Sequence, residues 1–215
     1  AAVVDISNGA TVTLPDAGDR YMTLMVVNQD HFINDVFSGG GSYTLDQSRY
    51  ETPFVLAWAR ILVDANDTED IAVVNALQDQ MVIEAGSATP FVMPSYDEDQ
   101  YRAMIAAILN FGPFIPDSSR MFGSKKEVDP VRHLIGTAAG YGGLPEREAY
   151  YVNVDPNLPV AEYVINVPAN VPVSAFWSIS LYNAQGFFEP NEQQAYSINS
   201  VSDARNNDCT MTVHL

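Results

Sequence analysis

The sequence contains a single cysteine, few basic residues and no long apolar run. Because Cys209 is alone, an intramolecular disulfide and a zinc site built on several cysteines are both excluded. The apolar runs, such as residues 54–59, span only several residues, whereas a membrane-spanning helix needs about 20. We therefore expect no membrane insertion. A chain of 215 residues buries a sufficient core without a disulfide or a metal ion.

Acidic residues outnumber basic ones by 27 to 10, so the formal net charge is −17. Proteins that bind nucleic acid gain affinity by neutralising phosphates with Lys and Arg, and the only two adjacent basic residues are Lys125 and Lys126. We expect neither a nucleic-acid partner nor an anionic membrane partner. An acidic surface is typical of a protein that stays in solution, and we predict a soluble, acidic protein.

Short catalytic and ligand-binding motifs are missing as well. The three histidines lie far apart and form no metal-binding pair of the usual short spacing. Residues 40–44 lack the second glycine of a nucleophile elbow, and residues 140–143 lack the spacing of a dinucleotide-binding motif. Residues 64–70 have a faint likeness to a calcium loop, but they match the capped start of a helix better. We predict no cofactor and no metal site.

The first 63 residues have the pattern of short strands separated by turns. Residues 10–14 alternate between apolar and polar side chains, which indicates a strand. Residues 20–28 are largely apolar on both faces of an extended chain, which predicts a central strand covered on both sides. Residues 54–63 form the next strong strand. The glycines at 39–41 predict a flexible turn or a place where the backbone closely approaches another group.

Helical signals follow, and β signals then return. Caps and apolar spacing predict three helices, which begin near residues 66–68, 95–97 and 129–130. In residues 175–182, alternation places Trp177 and Leu181 on one apolar face. The fold class we predict is mainly β with a helical insert, because short strands at such spacing favour a sandwich or a jelly roll. The strands expected in the last third are residues 150–154, 162–167, 175–182, 196–199 and 210–215.

Five residues are candidates for a ligand site. Asp30 and His31 follow a buried strand, where a carboxylate can tune the protonation of an imidazole; the alternative is a hydrogen-bonded loop. Arg60 is a lone guanidinium in an apolar strand and needs a carboxylate or carbonyl partner, so it serves either in a structural ion pair or in binding an anion. Trp177 and Tyr182 belong either to the core and rim of a sandwich or to a sugar-stacking surface. No residue is assigned a catalytic role.

Several passages resemble two bacterial families that commonly occur together in one polypeptide. The Leu77-Gln78-Asp79 motif and four other passages resemble the family catalogued as domain of unknown function 1254. The Phe176-Trp177-Ser178 motif and four other passages resemble the companion family, domain of unknown function 1214. The first set comprises residues 13–16, 19–22, 28–31, 60–64 and 74–79, and the second comprises residues 140–145, 175–178, 181–182, 186–187 and 196–199.

The resemblance implies architecture rather than activity. It implies an immunoglobulin-like β-sandwich at residues 1–94, a small helical linking region at residues 95–139 and a jelly-roll region at residues 140–215. Members of these families usually carry a further strand before the position of residue 1 and a further segment after that of residue 215. We therefore expect the chain to be truncated at both ends. The resemblance supplies no catalytic residue.

Two functions are compatible with these observations. The one we favour is a soluble bacterial β-sandwich protein that binds a small molecule or has a structural role. The alternative is a hydrolase-type enzyme with a site built from scattered residues near Asp30 and His31, since such sites leave no motif. The chain begins at Ala1 without an initiator Met or a leader-like segment, so either a leader has been removed or the chain starts inside a longer protein. We favour a periplasmic or secreted location over a cytoplasmic one. A homo-oligomer is compatible with either function.

Overall fold

The fold is mainly β with few helices, as the sequence predicts. The computed structural model describes residues 1–115, 117–154, 157–159, 161–183, 186–193, 195–201 and 204–215. The strands are β1 (Ala2–Asp5), β2 (Ala10–Leu14), β3 (Met22–Asn28), β4 (Ile33–Ser38), β5 (Gly41–Leu45), β6 (Phe54–Ile61), β7 (Val82–Ala85), β8 (Val164–Val167), β9 (Ser178–Ser180), β10 (Ser197–Asn199) and β11 (Met211–His214). The α-helices are α1 (Gln47–Tyr50), α2 (Thr68–Gln78), α3 (Glu98–Leu109) and α4 (Pro130–Ala139), and one 3-10 turn spans Gly112–Phe114.

The chain divides into two compact units. Unit 1 comprises Ala1–Val63 and Thr68–Val154, and unit 2 comprises Asp64–Asp67 and Asp155–Leu215. Unit 1 therefore contains the N-terminal strands together with α3 and α4. The three-part division at residues 94 and 139 stays a prediction.

Unit 1 is built around strand β3. Its four-stranded antiparallel sheet has the order β1-β6-β3-β4, so β3 has a hydrogen-bonded neighbour on each side. All seven residues of β3 are buried, which confirms the prediction of a central strand covered on both faces. A second, three-stranded sheet has the order β5-β2-β7.

The two faces of β3 belong to two different hydrophobic cores. Leu24 and Val26 face a core that also contains Val12 and Leu14 of β2, so this core joins the two sheets. Because side chains alternate along a strand, the intervening residues Met25 and Val27 face the opposite side. There they pack with Trp58, Phe122 and Leu144. The second core therefore attaches the segment around α4 to the sheet.

The helices of unit 1 begin where local capping predicts. The Asp97 side chain accepts from Gln100 N at the start of α3, and Asp129 accepts from Val131 N and Arg132 N at the start of α4. Pro130 takes the first helical position, where its missing N–H costs nothing. The expected apolar stripe of α3 is less buried than its spacing suggests, since no residue of that helix is fully buried. No helix in the described residues has the length and apolarity of a bilayer span.

Unit 2 contains two antiparallel strand pairs, β8–β11 and β9–β10. Val167 and Met211 of the first pair form a small core, against which Trp177 and Ile179 pack. The strand expected at residues 175–182 is thus reduced to β9. Leu181, predicted on the apolar face, is 60% exposed because it lies beyond the end of β9.

The prediction of a strand at residues 150–154 is wrong. These residues have an apolar-rich, β-prone sequence, but the structure places them in irregular chain. Ser118 Oγ accepts from Tyr151 N at 3.3 Å and donates to Tyr151 O at 3.2 Å. A serine side chain therefore takes the backbone groups that a neighbouring strand would have bound.

Truncation of the central strand tests the two-sided core. We expect Val26→Ala to lower the free energy of unfolding of unit 1 by about 2 to 3 kcal/mol, because it removes two methyl groups from a fully buried site and leaves a cavity. Urea unfolding followed by Trp58 fluorescence, in a Trp177→Phe background, measures it. Val3→Ala in β1 is the control, since Val3 is 53% exposed; equal losses in both variants would contradict the assignment.

Candidate functional site

His31 and Arg60, two of the predicted site residues, bind the same backbone residue. Gly142 N donates to His31 Nε2 at 3.0 Å, and Arg60 Nη2 donates to Gly142 O at 2.8 Å. Thr137 Oγ1 lies 2.8 Å from the other imidazole nitrogen, His31 Nδ1. We call these four residues, His31, Arg60, Thr137 and Gly142, the Gly142 clasp.

The turn after β3 places His31 in the clasp. The Asn28 side chain accepts from Asp30 N at 3.1 Å and from Phe32 N at 2.9 Å, and it donates to Tyr50 O at 2.9 Å. His31 itself has a left-handed backbone with φ 65°, a conformation that is uncommon for residues other than glycine. A buried asparagine therefore holds the backbone that directs the imidazole away from the strand.

The hydrogen bonds determine which nitrogen of His31 carries the proton. Gly142 N–H can only donate, so His31 Nε2 must be an unprotonated acceptor. The neutral imidazole then has its proton on Nδ1, which donates to Thr137 Oγ1. Because the lone pair of Nε2 is already occupied, it is not free to take a proton from a substrate.

Burial keeps the imidazole of His31 neutral. The residue is only 6% exposed, and this desolvation, together with the neighbouring His133, lowers the pKa of His31 from 6.5 to about 4. The two imidazole rings stack with centroids 5.6 Å apart, and His133 in turn stacks on Phe32 at 4.9 Å. A protonated His31 would lack solvation, and its Nε2 could no longer accept the hydrogen bond from Gly142 N.

Arg60 lies two residues after Trp58 on the same face of β6. Its guanidinium carbon is 4.8 Å from the centroid of the Trp58 ring, a cation–π distance. Burial lowers the pKa of Arg60 from its ordinary value. Its hydrogen-bond acceptor is a backbone carbonyl, one of the two kinds of partner expected from the sequence, and not a carboxylate in an ion pair.

Only glycine fits at position 142. Its φ is +76°, and a Cβ added there would lie 2.3 Å from a ring carbon of Trp58. At Gly143 an added Cβ would lie 2.3 Å from a ring carbon of Phe122. The sequence shows these glycines only as a failed nucleotide motif, although consecutive glycines also indicate close backbone approach. We call residues 140–147 the glycine loop.

The other predicted site residues lie elsewhere. The side chain of Asp30 is exposed, and only its backbone approaches the cluster, with Asp30 O 3.5 Å from His133 Nε2. Trp177 is partly buried against the core of unit 2. Tyr182 is 55% exposed and stacks on Phe188 at 4.9 Å. Thr137, Tyr141 and Gly142 complete the cluster around His31 and are not among the site residues predicted from the sequence.

A groove borders the clasp within unit 1. It has a volume of about 320 Å³, at the lower end of the range of about 300 to 1,000 Å³ that is usual for small-molecule sites. Phe122 belongs to both features, since its ring also makes an edge contact with His31 at 6.1 Å. We call this feature the arginine groove; its lining residues are Arg120, Phe122, Glu127, Pro145, Glu146 and Arg147.

The charges of the arginine groove are unequally compensated. Glu127 accepts from Ser124 and pairs with Arg147, and although burial acts to raise the pKa of Glu127, these partners lower it overall. The Nε of Arg120 donates to Glu127 O at 3.4 Å. Within the described residues, no hydrogen bond reaches the terminal Nη atoms of Arg120. The nearby Asp129 carboxylate does feel this charge: its pKa is lowered by the backbone hydrogen bonds of Arg132 and Val131 and also by Arg120.

The described residues contain no group of three or more His, Cys, Asp or Glu side chains that could hold a metal ion. The His31–His133 pair does not substitute for one, because both nitrogens of His31 already bind the protein's own groups. The chemistry that the arrangement offers is thus hydrogen bonding and charge pairing.

Comparison with known proteins supports the C-terminal resemblance. Residues 153–215 match the model of a family described as "Protein of unknown function (DUF1214)". Among solved structures, the VPA0106 protein from Vibrio parahaemolyticus superposes with a TM-score of 0.72 at 18% identity, covering 99% of this chain and 75% of that chain. A search of curated proteins found no match.

These comparisons define a class by fold and by one region of sequence. The chain is a mainly β protein whose C-terminal region is similar to the 1214 family. The likeness to the Vibrio protein concerns the fold alone at this identity, since one fold hosts many functions.

The close fit of Gly142 against Trp58 yields a sharp prediction. We expect Gly142→Ala to lower the free energy of unfolding by more than about 2 kcal/mol, because Ala there meets both a steric overlap and an unfavourable φ. Gly140→Ala is the matched control: nothing lies within 4 Å of its added Cβ, so we expect a change within about 0.5 kcal/mol. Urea unfolding measures both, and similar losses would show that the clasp is not tightly packed.

Proposed function

We propose that the chain is a non-catalytic binding protein, and that a small organic anion with an apolar body occupies the arginine groove. The observation that carries this proposal is the combination of Arg120, with its Nη atoms unbound in the described chain, and the apolar surface of Phe122 in one groove. Ligand sites typically combine an apolar lining with a few placed polar groups.

The distribution of charge supports an anionic ligand. Five of the ten basic residues of the chain, namely Arg120, Lys125, Lys126, Arg132 and Arg147, fall between residues 120 and 147. Arg132 is bound by Asp117, and Arg147 by Glu127, so these two cations are already compensated. Arg120 forms no such ion pair within the described residues, although its charge acts on the nearby Asp129 carboxylate. Glu146, the other carboxylate of the groove, is exposed, and water and salt screen its repulsion of an anion.

The geometry of His31 weighs against the alternative function, a hydrolase with a site near Asp30 and His31. A general base must reach the proton that it abstracts, whereas Nε2 accepts from Gly142 and the Asp30 carboxylate is exposed away from the ring contacts. We infer that His31 and Arg60 position the glycine loop, which carries three of the six groove residues.

We further infer the finer architecture expected from the family resemblance. An immunoglobulin-like sandwich at residues 1–94 agrees with the hydrophobic core shared by the two sheets of unit 1. A jelly roll at residues 140–215, similar to the 1214 family, agrees with the match at residues 153–215. The resemblance of residues 1–94 to the 1254 family, and of residues 95–139 to its helical linking region, forms part of the same proposal.

Binding of benzenesulfonate tests the function, because it joins an aromatic ring to an anion whose charge does not change with pH. We expect it to raise the melting temperature and to shift the NMR signals of Phe122 and Arg120, whereas neutral benzamide does neither. Loss of the guanidinium in Arg120→Asn should weaken binding about tenfold, since a charge-assisted hydrogen bond contributes about 1.5 kcal/mol or more. Asn is chosen because residue 120 has φ 56°, which Asn tolerates.

The matched control is Arg102→Asn on α3, which removes an equal charge at an exposed position that does not line the arginine groove and is paired with Glu98. We expect unchanged affinity in this variant. Equal binding by wild-type protein and Arg120→Asn, or equal binding of benzamide, would contradict an anion site at the arginine groove.

A further inference from the structure

The Gly142 clasp and the arginine groove are connected through the glycine loop. The glycine loop carries Gly142 near its start and Pro145, Glu146 and Arg147 at its end. Between them, Leu144 is buried in the second core, and Leu144 N donates to Tyr151 Oη at 3.1 Å. Phe122 lines the groove, and its ring lies where a Cβ at residue 143 would be. The position of one groove wall therefore depends on how Gly142 is held.

The bond from Gly142 N–H exists in only one protonation state of His31. Neutral His31 accepts at Nε2, whereas the imidazolium has a proton on both nitrogens and can only donate. A proton on Nε2 would face the N–H of Gly142, and two donors repel each other. The Thr137 hydroxyl does not prevent this change, because it can accept from Nδ1 in either state.

The groups around His31 also oppose a positive charge there. Arg60 reaches the opposite side of Gly142 from β6, and His133 stacks on the ring from α4. Tyr141 of the glycine loop, 4.6 Å away, has its pKa raised by burial and supplies no negative charge. The carboxylate of Asp30, the residue before His31, is exposed to solvent. Among the described residues in contact with the His31 ring, none carries a negative charge that would stabilise the imidazolium.

We propose that protonation of His31 opens the Gly142 clasp and loosens the glycine loop, so that mild acid releases a ligand from the arginine groove. The release of ligand rests on the function proposed above, whereas the opening of the clasp does not. The change is local: the first core and the sheets are unaffected, while the glycine loop, which contributes Leu144 to the second core, loosens.

The sign of the pH dependence follows from linkage between opening and protonation. The pKa of His31 is about 4 in the closed clasp, and it returns to about 6.5 when the ring meets water. The closed clasp is thus fully favoured above about pH 6.5. Its opening equilibrium increases about tenfold for each pH unit below that value, until about pH 4.

Hydrogen exchange of the Gly142 amide measures the opening directly, because that amide is the donor to His31. We expect its protection factor, corrected for the intrinsic exchange rate, to fall about tenfold per pH unit between about pH 6.5 and 4.5. The Val26 amide in β3 reports global unfolding, which also exposes His31, so its protection falls with the same slope but stays well above that of Gly142. Constant Gly142 protection, or protection of equal size at Gly142 and Val26, would overturn the proposal, because equal values mean that the clasp opens only when unit 1 unfolds.

Two variants assign the effect to His31. In His31→Asn, which keeps a residue tolerant of positive φ, we expect low Gly142 protection that no longer varies with pH. His214→Asn in β11 removes a different imidazole and should leave the wild-type pH dependence intact. A wild-type pH profile in His31→Asn would assign the opening to another group and refute the device.

Benzenesulfonate then separates the two proposals. We expect its affinity for the wild-type protein to fall at the pH where the open clasp becomes the main form, that is where the Gly142 protection factor approaches one, and to lose this dependence in His31→Asn. Absence of binding at pH 7 would refute the proposed function while leaving the exchange result valid. Affinity that stays constant after Gly142 has lost its protection, or a protection factor that remains well above one at about pH 4, would refute the regulation of the groove alone.

Discussion

The two hydrogen bonds of Gly142 are the constraint on which the organisation of the candidate site depends. One comes to a histidine at the end of the central strand and the other from an arginine in the neighbouring strand. Both partners project from the face of the sheet that the first core does not use. By holding one backbone residue at its N–H and at its C=O, the sheet determines the path of the glycine loop and the shape of the groove beyond it.

The two buried side chains of the clasp avoid the cost of an unpaired charge in different ways. The guanidinium of Arg60 keeps its charge and is compensated by a carbonyl oxygen and the face of Trp58. The imidazole of His31 has no such compensation and stays neutral. Arg60 therefore keeps its hydrogen bond to Gly142 at any moderate pH, whereas the bond to His31 requires the neutral imidazole.

Local sequence signals predicted the elements whose causes are local. The alternation of residues 10–14, the two apolar faces of β3 and the caps Asp97 and Asp129 all lie within a few residues of the structure that they specify. The prediction at residues 150–154 was wrong: these residues pair with no strand, and the backbone of Tyr151 binds Ser118, 33 positions away. Intrinsic strand preference is weak and depends on what the rest of the fold offers as a partner.

For the site, the sequence by itself determined that Asp30–His31 follow a buried strand and that Arg60 needs a polar partner. Only the tertiary structure decided that His31 and Arg60 meet at Gly142, since that residue is 111 positions from the first and 82 from the second. The same packing leaves the Asp30 carboxylate away from the His31 ring. It also makes residues 140–143, which lack the spacing of a nucleotide-binding motif, part of a closely packed loop. The reason is physical: hydrogen-bond partners and desolvation depend on distance in space, which residue order does not specify for contacts so far apart in the chain.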